Sequence, residues 1–197
     1  MLNQHQTTKD FIARCNKPSP LIEDLMKLVL FNPSNKHVKI ADIGSGPLSI
    51  IGSFVPGMNS KIYHSDKQDF SSFYKKHSIT PLIEVEYQDM EKLTYPDDYF
   101  DVVHCANALD HTKLAEQAVM EMIRVCKPGG WIYITCNLDQ MDTGHKHYWN
   151  AKQGGVFTNG KQSFDLKVVG FETKLIDNGG ESRYNKIIAL YQKDRPI

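Results

Sequence analysis

Residues 38–51 read Val38-Lys39-Ile40-Ala41-Asp42-Ile43-Gly44-Ser45-Gly46-Pro47-Leu48-Ser49-Ile50-Ile51, and the rest of the chain is organised around them. The run through Ile40, Ala41 and Ile43 predicts a short buried strand, closed by two glycines one residue apart. Glycine lets the backbone turn tightly and bring its N–H groups near a ligand. Pro47 suits the first turn of a helix, with Leu48, Ile50 and Ile51 as its apolar side. Strand, glycine turn and helix make the nucleotide-binding corner of a doubly wound α/β fold. A Gly-x-Gly also occurs in many surface turns, so its neighbours must carry the reading.

They do so in chain order. Residues 61–66 predict a second strand ending on Asp66, 24 residues beyond Asp42 (66 − 42). An acid about 20 residues past a glycine-rich turn, at the next strand's tip, is placed to accept hydrogen bonds from a ribose. The plainer role for Asp66 is to cap a helix over 68–76, a task that Asp69 can take instead. Residues 81–87 predict strand three, which runs into Gln88-Asp89-Met90. Asp89 and Met90 could hold a purine amino group and stack beneath its ring; the alternative for Asp89 is a solvated loop acid. In Phe100-Asp101-Val102-Val103-His104-Cys105-Ala106-Asn107-Ala108-Leu109-Asp110-His111 the first half predicts a central strand. The second half falls at the carboxyl ends of the strands, where α/β ligand sites lie. A helix over 112–126 stops at Lys127-Pro128-Gly129-Gly130, and strand five follows over 131–136.

Upstream, residues 10–15 predict a short helix, and Ser19 reads as the N-cap of another with Pro20 at its first position. Residues 1–36 would thus form a helical cover on a single domain spanning 1–197. Residues 138–160 carry no clear period but hold His145, His147, Tyr148 and Trp149, and are expected to form a lid or binding loop. A short helix over 162–169 and a hairpin through Asn178-Gly179-Gly180 complete the chain.

Lys plus Arg and Asp plus Glu number 23 each, so the net charge is zero and no basic stripe marks a nucleic-acid partner. The four cysteines form no C-x-x-C pair, and two fall in predicted strands, which points to a reduced, cytoplasmic protein. No apolar run is long enough to span a bilayer, and the polar start MLNQHQTTKD does not read as a signal peptide. A 41% hydrophobic content suffices for one sizeable core.

Four stretches, residues 38–46, 62–66, 100–111 and 124–134, together resemble the class I S-adenosylmethionine-dependent methyltransferases, in the small-domain group acting on metabolites and sugars. A nicotinamide-binding domain would more usually show a third glycine after Gly46. The resemblance implies a Rossmann-like sheet of about seven strands, mostly parallel with an antiparallel last strand, and helices on both faces. It implies S-adenosylmethionine as cofactor. Gly44, Ser45 and Gly46 would lie along its methionine part, Asp66 on the ribose and Asp89 with Met90 at the adenine. Asn107 would border the sulfonium, and Asp42 would anchor the turn and reach the amino acid group through water.

The sulfonium is an activated electrophile, so the protein's task is mainly to align a nucleophile, which can replace about 7–11 kcal/mol of barrier. A hydroxyl nucleophile also needs a base, and His titrates in the right range. His111, next to strand four, is the first candidate; His145, His147 and Asp110 follow, each also readable as an ordinary surface or helix-start residue. His145 and His147 could bind a metal, but two ligands lack an obvious third, so none is expected. Asn107-Ala108-Leu109-Asp110 is unlike the Asn-Pro-Pro-Tyr of base amino-methylating enzymes, and Cys105 lacks the preceding proline of cytosine C5 enzymes. The expected acceptor is an oxygen or nitrogen of a small molecule or saccharide, with the protein a monomer or homodimer. The competing readings are a catalytically silent cofactor-binding sensor or partner, and a nicotinamide-linked dehydrogenase.

Overall fold

Residues 12, 17–30, 37–140, 147–177 and 185–194 are described by the computed structural model. Strands β1 (His37–Ile43), β2 (Asn59–Asp66), β3 (Val85–Tyr87), β4 (Phe100–Ala106), β5 (Cys126–Asn137), β9 (Glu172–Ile176) and β10 (Lys186–Gln192) form one sheet in the order β3-β2-β1-β4-β5-β10-β9. The pairs among β1 to β5 are parallel, and β10 runs antiparallel to both β5 and β9. The last strand in the chain is therefore the antiparallel one, set one position in from the edge. Strand order reverses between β1 and β4, and such a reversal opens a crevice at the carboxyl ends of the strands.

Alternation along each strand divides the core. Ala41, Ile43, Val103, Cys105, Ile132 and Ile134 point to one face, where they pack against Ala118, Val119 and Met122 of helix α3 (Ala115–Val125). Val38, Ile40, Ile62 and Val102 point to the other and meet Leu25, Leu28 and Val29 of helix α1 (Glu23–Leu30). Helices thus cover both faces, as a parallel sheet requires. A third helix, α2 (Ser71–His77), follows β2.

Three local expectations are corrected. No helix follows the glycine turn: residues 47–58 form turns and bends. Only four residues separate Pro47 from Gly52, too few to nucleate a helix without packing support. The segment is instead bound to the chain before α1, through Leu21 N to Phe54 O at 2.9 Å, Ile22 N to Ile51 O at 2.9 Å and Ser53 N to Ser19 O at 2.8 Å. For the same reason Ser19 and Pro20 do not open a helix. Ser19 is tied to Ser53, Pro20 pairs with Phe54, and α1 begins at Glu23. The helix expected over 10–15 lies almost wholly outside the described residues.

The third correction concerns residues 138–160, expected to lack secondary structure, and the helix expected over 162–169. Strands β6 (Asn150–Lys152), β7 (Val156–Thr158) and β8 (Ser163–Asp165) form a small antiparallel sheet, and a 3₁₀ turn covers Leu166–Val169. Each strand is only three residues long, too short for an alternating pattern to stand out in sequence. Ala151, Phe157, Phe164 and Leu166 are buried in the core cluster that α3 covers. Residues 150–166 are a packed layer against the core, while 141–146 lie outside the described residues.

Phe157 is fully buried, so Phe157→Ala is expected to lower the unfolding free energy by about 3–5 kcal/mol in urea titration. A loss below about 1 kcal/mol would show the small sheet to be detached from the core.

Candidate active site

The crevice at the strand-order reversal opens into a cavity of about 710 Å³, within the roughly 300–1,000 Å³ range of small-molecule sites. The end of β1 forms its floor. Gly44 there has φ +71°, and a Cβ on it would lie 2.4 Å from the Ala108 Cβ and 3.0 Å from the Met90 Cε. Only a residue without a side chain fits between the tips of β1 and β4. At Gly46, with φ +63°, a Cβ would meet nothing within 4 Å. The turn's amide groups do not all point at the cavity. Gly44 N and Ser45 N both donate to Ser65 O of β2, at 2.8 and 3.0 Å, while Gly46 N donates to the Asp66 carboxylate at 3.0 Å. What the turn offers a ligand is close backbone approach, with Asp66 locked beside it.

Among the residues singled out in the sequence, Gly44, Gly46, Asp66, Asp89, Met90, Asn107 and His111 line this one cavity. Asp66 accepts from Gln68 N at 3.0 Å through its other oxygen. Asp89 is held by the Lys67 ammonium and by Glu91 N, and although burial raises its carboxyl, those bonds keep it below the ordinary carboxylate range. Asn107 has φ +49°, a conformation that Asn tolerates better than most residues. Its Oδ1 accepts from Asn137 N at 2.8 Å, tying the tip of β4 to the end of β5. An open glycine face, two acids and the apolar Met90 and Ala108 together fit a nucleoside with polar sugar and base edges.

Comparison with known proteins gives the same answer. The model of a methyltransferase domain matches residues 41–134. That match covers 94 of the chain's 197 residues (134 − 41 + 1), the stretch from β1 into β5. The ubiquinone/menaquinone biosynthesis C-methyltransferase UbiE of Burkholderia mallei is 32% identical over 108 residues, 52% of this chain and 43% of that protein. The chain thus spans less than half the length of the curated relatives it matches. Among solved structures, the CurJ carbon methyltransferase is similar at a TM-score of 0.62 and 15% identity, covering 86% of this chain and 52% of that one. The YcgJ protein of Bacillus subtilis is similar at a TM-score of 0.54 and 14% identity, covering 89% and 100%. At such identity the structures speak to the fold alone.

S-adenosylmethionine is the cofactor that the resemblance seen in the sequence implies for this cavity. Asp42 and Ser45, also singled out in the sequence, do not line the cavity. Asp42 is buried beneath the turn, with one carboxylate oxygen 2.6 Å from His104 Nδ1 and the other accepting from Ser49 Oγ at 2.6 Å. Register sets this up, since Asp42 lies level with His64 on β2 and His104 on β4, all on the face that α1 covers. Burial would raise the Asp42 carboxyl, but His104, Ser49 and His64 outweigh it and hold it below the ordinary carboxylate range. Burial likewise pushes the His64 imidazole down, only partly offset by Asp42. The pairing with His104 could not be seen in the sequence, because it exists only once β1 and β4 are in register.

At the cavity mouth, Asp110 and His111 sit on a 3₁₀ turn (Leu109–His111) after β4, with Asp110 buried and His111 exposed. The chain beyond residue 146 is docked on that turn. Tyr148 N and Trp149 N both donate to Asp110 O, at 2.8 and 3.2 Å, and Trp149 Nε1 donates to Lys113 O at 3.2 Å. His147 is brought close by this strap, its Nε2 lying 3.5 Å from the Asp110 carboxylate. His145 lies outside the described residues. Tyr148 lines the cavity whereas Trp149 is buried, so the aromatic pair divides into a site residue and a core anchor. Glu91 was not foreseen. It accepts from Thr112 Oγ1 and from Lys113 N at 2.8 Å, which fixes the segment between the 3₁₀ turn and α3.

Two variants separate the glycines. Gly44→Ala combines positive-φ strain with the clash at Ala108 and is expected to cost about 2–5 kcal/mol of stability. Gly46→Ala incurs only the strain, about 1–2 kcal/mol; equal losses in urea unfolding would contradict the close approach at Ala108. For His64, the folded pKa lies below the unfolded value of 6.5, so as pH falls through 6.5 the unfolded chain takes up the proton first. Unfolding free energy should therefore decline with acidification through that range, and His64→Gln should flatten the decline; an unchanged slope would contradict the burial of a neutral imidazole.

Proposed function

We propose that the protein transfers the methyl group of S-adenosylmethionine to an oxygen or nitrogen of a small molecule, saccharides among the candidates. The observation that carries this reading is the single cavity into which the glycine turn, Asp66, Asp89, Met90 and His111 all open. Asp66 would hold the ribose, Asp89 and Met90 would meet the adenine, and Asn107 would border the sulfonium. The acceptor would enter past His111 and Tyr148. There the His111 imidazole would take the acceptor's proton; the cofactor, when bound, would supply the methyl group and leave as S-adenosylhomocysteine. Asp110 and His147 would orient His111. The cofactor arrives already activated, so the chain's own work is alignment, exclusion of water and proton removal.

A second reading has its own support. The curated relative UbiE is a C-methyltransferase of ubiquinone/menaquinone biosynthesis, so the acceptor atom could be a ring carbon beside a phenol oxygen. Deprotonation of that phenol would use the same base. An acceptor pool containing both classes, incubated with methyl-labelled cofactor, separates them by the position of the label.

Asp66→Ala should weaken binding of S-adenosylhomocysteine by about 10- to 150-fold, the worth of a hydrogen bond to a charged group at about 1.5–3 kcal/mol. Calorimetric titration checks this, and unchanged affinity would place the ribose elsewhere. His111→Ala should reduce turnover by about 100-fold or more while leaving cofactor affinity within threefold; a parallel loss of both would make His111 a binding or folding residue.

A further inference from the structure

We infer that Asp110, His111 and His147 form a binding site for a divalent transition-metal cation at the mouth of the methyltransferase cavity. A carboxylate oxygen and one nitrogen from each imidazole all lie within 4.8 Å of one another. Ligands at bond lengths of about 2.0–2.2 Å around a four-coordinate cation sit roughly 3.4 Å apart, so closing on an ion needs shifts of about an ångström. The His111 and His147 rings are already face to tilted face, with centroids 4.3 Å apart.

A second, independent feature points the same way. The Asp110 side chain is 3% exposed, and its Oδ1 finds no N–H or O–H donor among the described residues; only the weakly donating Cys136 thiol lies against this carboxylate. A buried carboxylate oxygen left unsatisfied is costly, and a cation is the partner that satisfies it best. The site is also built to stay in place. Asp110 and His111 are adjacent on the 3₁₀ turn, and His147 is held across from them by the hydrogen bonds that the following Tyr148 and Trp149 amides donate to Asp110 O.

Donor chemistry narrows the ion. Two imidazole nitrogens with one carboxylate suit zinc, iron(II) or cobalt(II), while calcium and magnesium prefer all-oxygen sets. Three protein ligands leave coordination positions open, and His111 directs them into the cavity it lines. Those positions would take an oxygen-donor acceptor and acidify its hydroxyl so that the proton leaves to solvent; with the ion bound His111 is a ligand, and this replaces its part as a free base. This role for the ion rests on the methyltransferase reading; cation binding itself does not.

The test is titration of the metal-free full chain with cobalt(II), followed by visible absorption and equilibrium dialysis. One ion per chain is expected, with absorption bands of nitrogen ligation and paramagnetically shifted imidazole resonances in the unmodified protein. His111→Ala, His147→Ala and Asp110→Asn should each weaken binding by about 100-fold or more, since even second-sphere changes cost 10- to 100-fold. His77→Ala, on α2, should leave it unchanged. Retained S-adenosylhomocysteine binding reports that each variant is folded; where one is not, the shifted resonances of the unmodified chain decide. No stoichiometric ion, shifted resonances absent, or equal binding by the double variant His111→Ala/His147→Ala would overturn the inference. A chain that binds S-adenosylhomocysteine without cobalt loses the metal site and keeps the methyltransferase reading. Cobalt bound without S-adenosylhomocysteine does the reverse.

Discussion

The cavity depends on how closely the ends of β1 and β4 approach. They meet at Gly44 and Ala108, where even a methyl group on Gly44 would overlap its neighbour. Because strand order reverses at that pair, the chains leaving the two strands turn to opposite faces of the sheet and a crevice opens above. The positive φ at Gly44 sends the backbone down to the Ser65 carbonyl at the end of β2, and Gly46 N then reaches Asp66. Three strand ends are thereby fastened to one turn. The acid is placed beside the open face of Gly46 by the same hydrogen bond that closes the turn.

Beneath this corner the protein carries a polar network that a purely apolar core would avoid. Asp42 is 2% exposed and bridges His104 and Ser49, with His64 level with it on the neighbouring strand. Removing one partner of such a network leaves a buried charge, whereas the complete set holds its members in one arrangement. The network lies on the α1 face, directly under the residues that turn, while the other face is filled by α3 and the small β6-β7-β8 sheet. Rigidity below and openness above is the condition a positioning enzyme needs.

Local chemistry made the corner legible in the sequence. A strand, two glycines and an acid at the next strand's tip are each short-range signals, and Asp66, Asp89, Met90, Asn107 and His111 fall in one cavity because all lie at strand ends. Long-range pairing hid the rest. Pro47 suggested a helix, but residues 47–58 are held by the backbone around Ser19 and Leu21. His104 looked like one more strand residue until register set it against Asp42. The three-residue strands after residue 149 were too short for a period, and the metal-ligand pair of Asp110 and His147 is closed by a strap 37 residues further along the chain (147 − 110).

The measurement that bears most directly on the corner is a calorimetric titration of the full chain with S-adenosylhomocysteine and, separately, with NAD. One site per chain for S-adenosylhomocysteine and no heat with the dinucleotide is the result expected of a cleft closed by two glycines and edged by Asp66 and Met90. Dinucleotide binding without S-adenosylhomocysteine binding would contradict it.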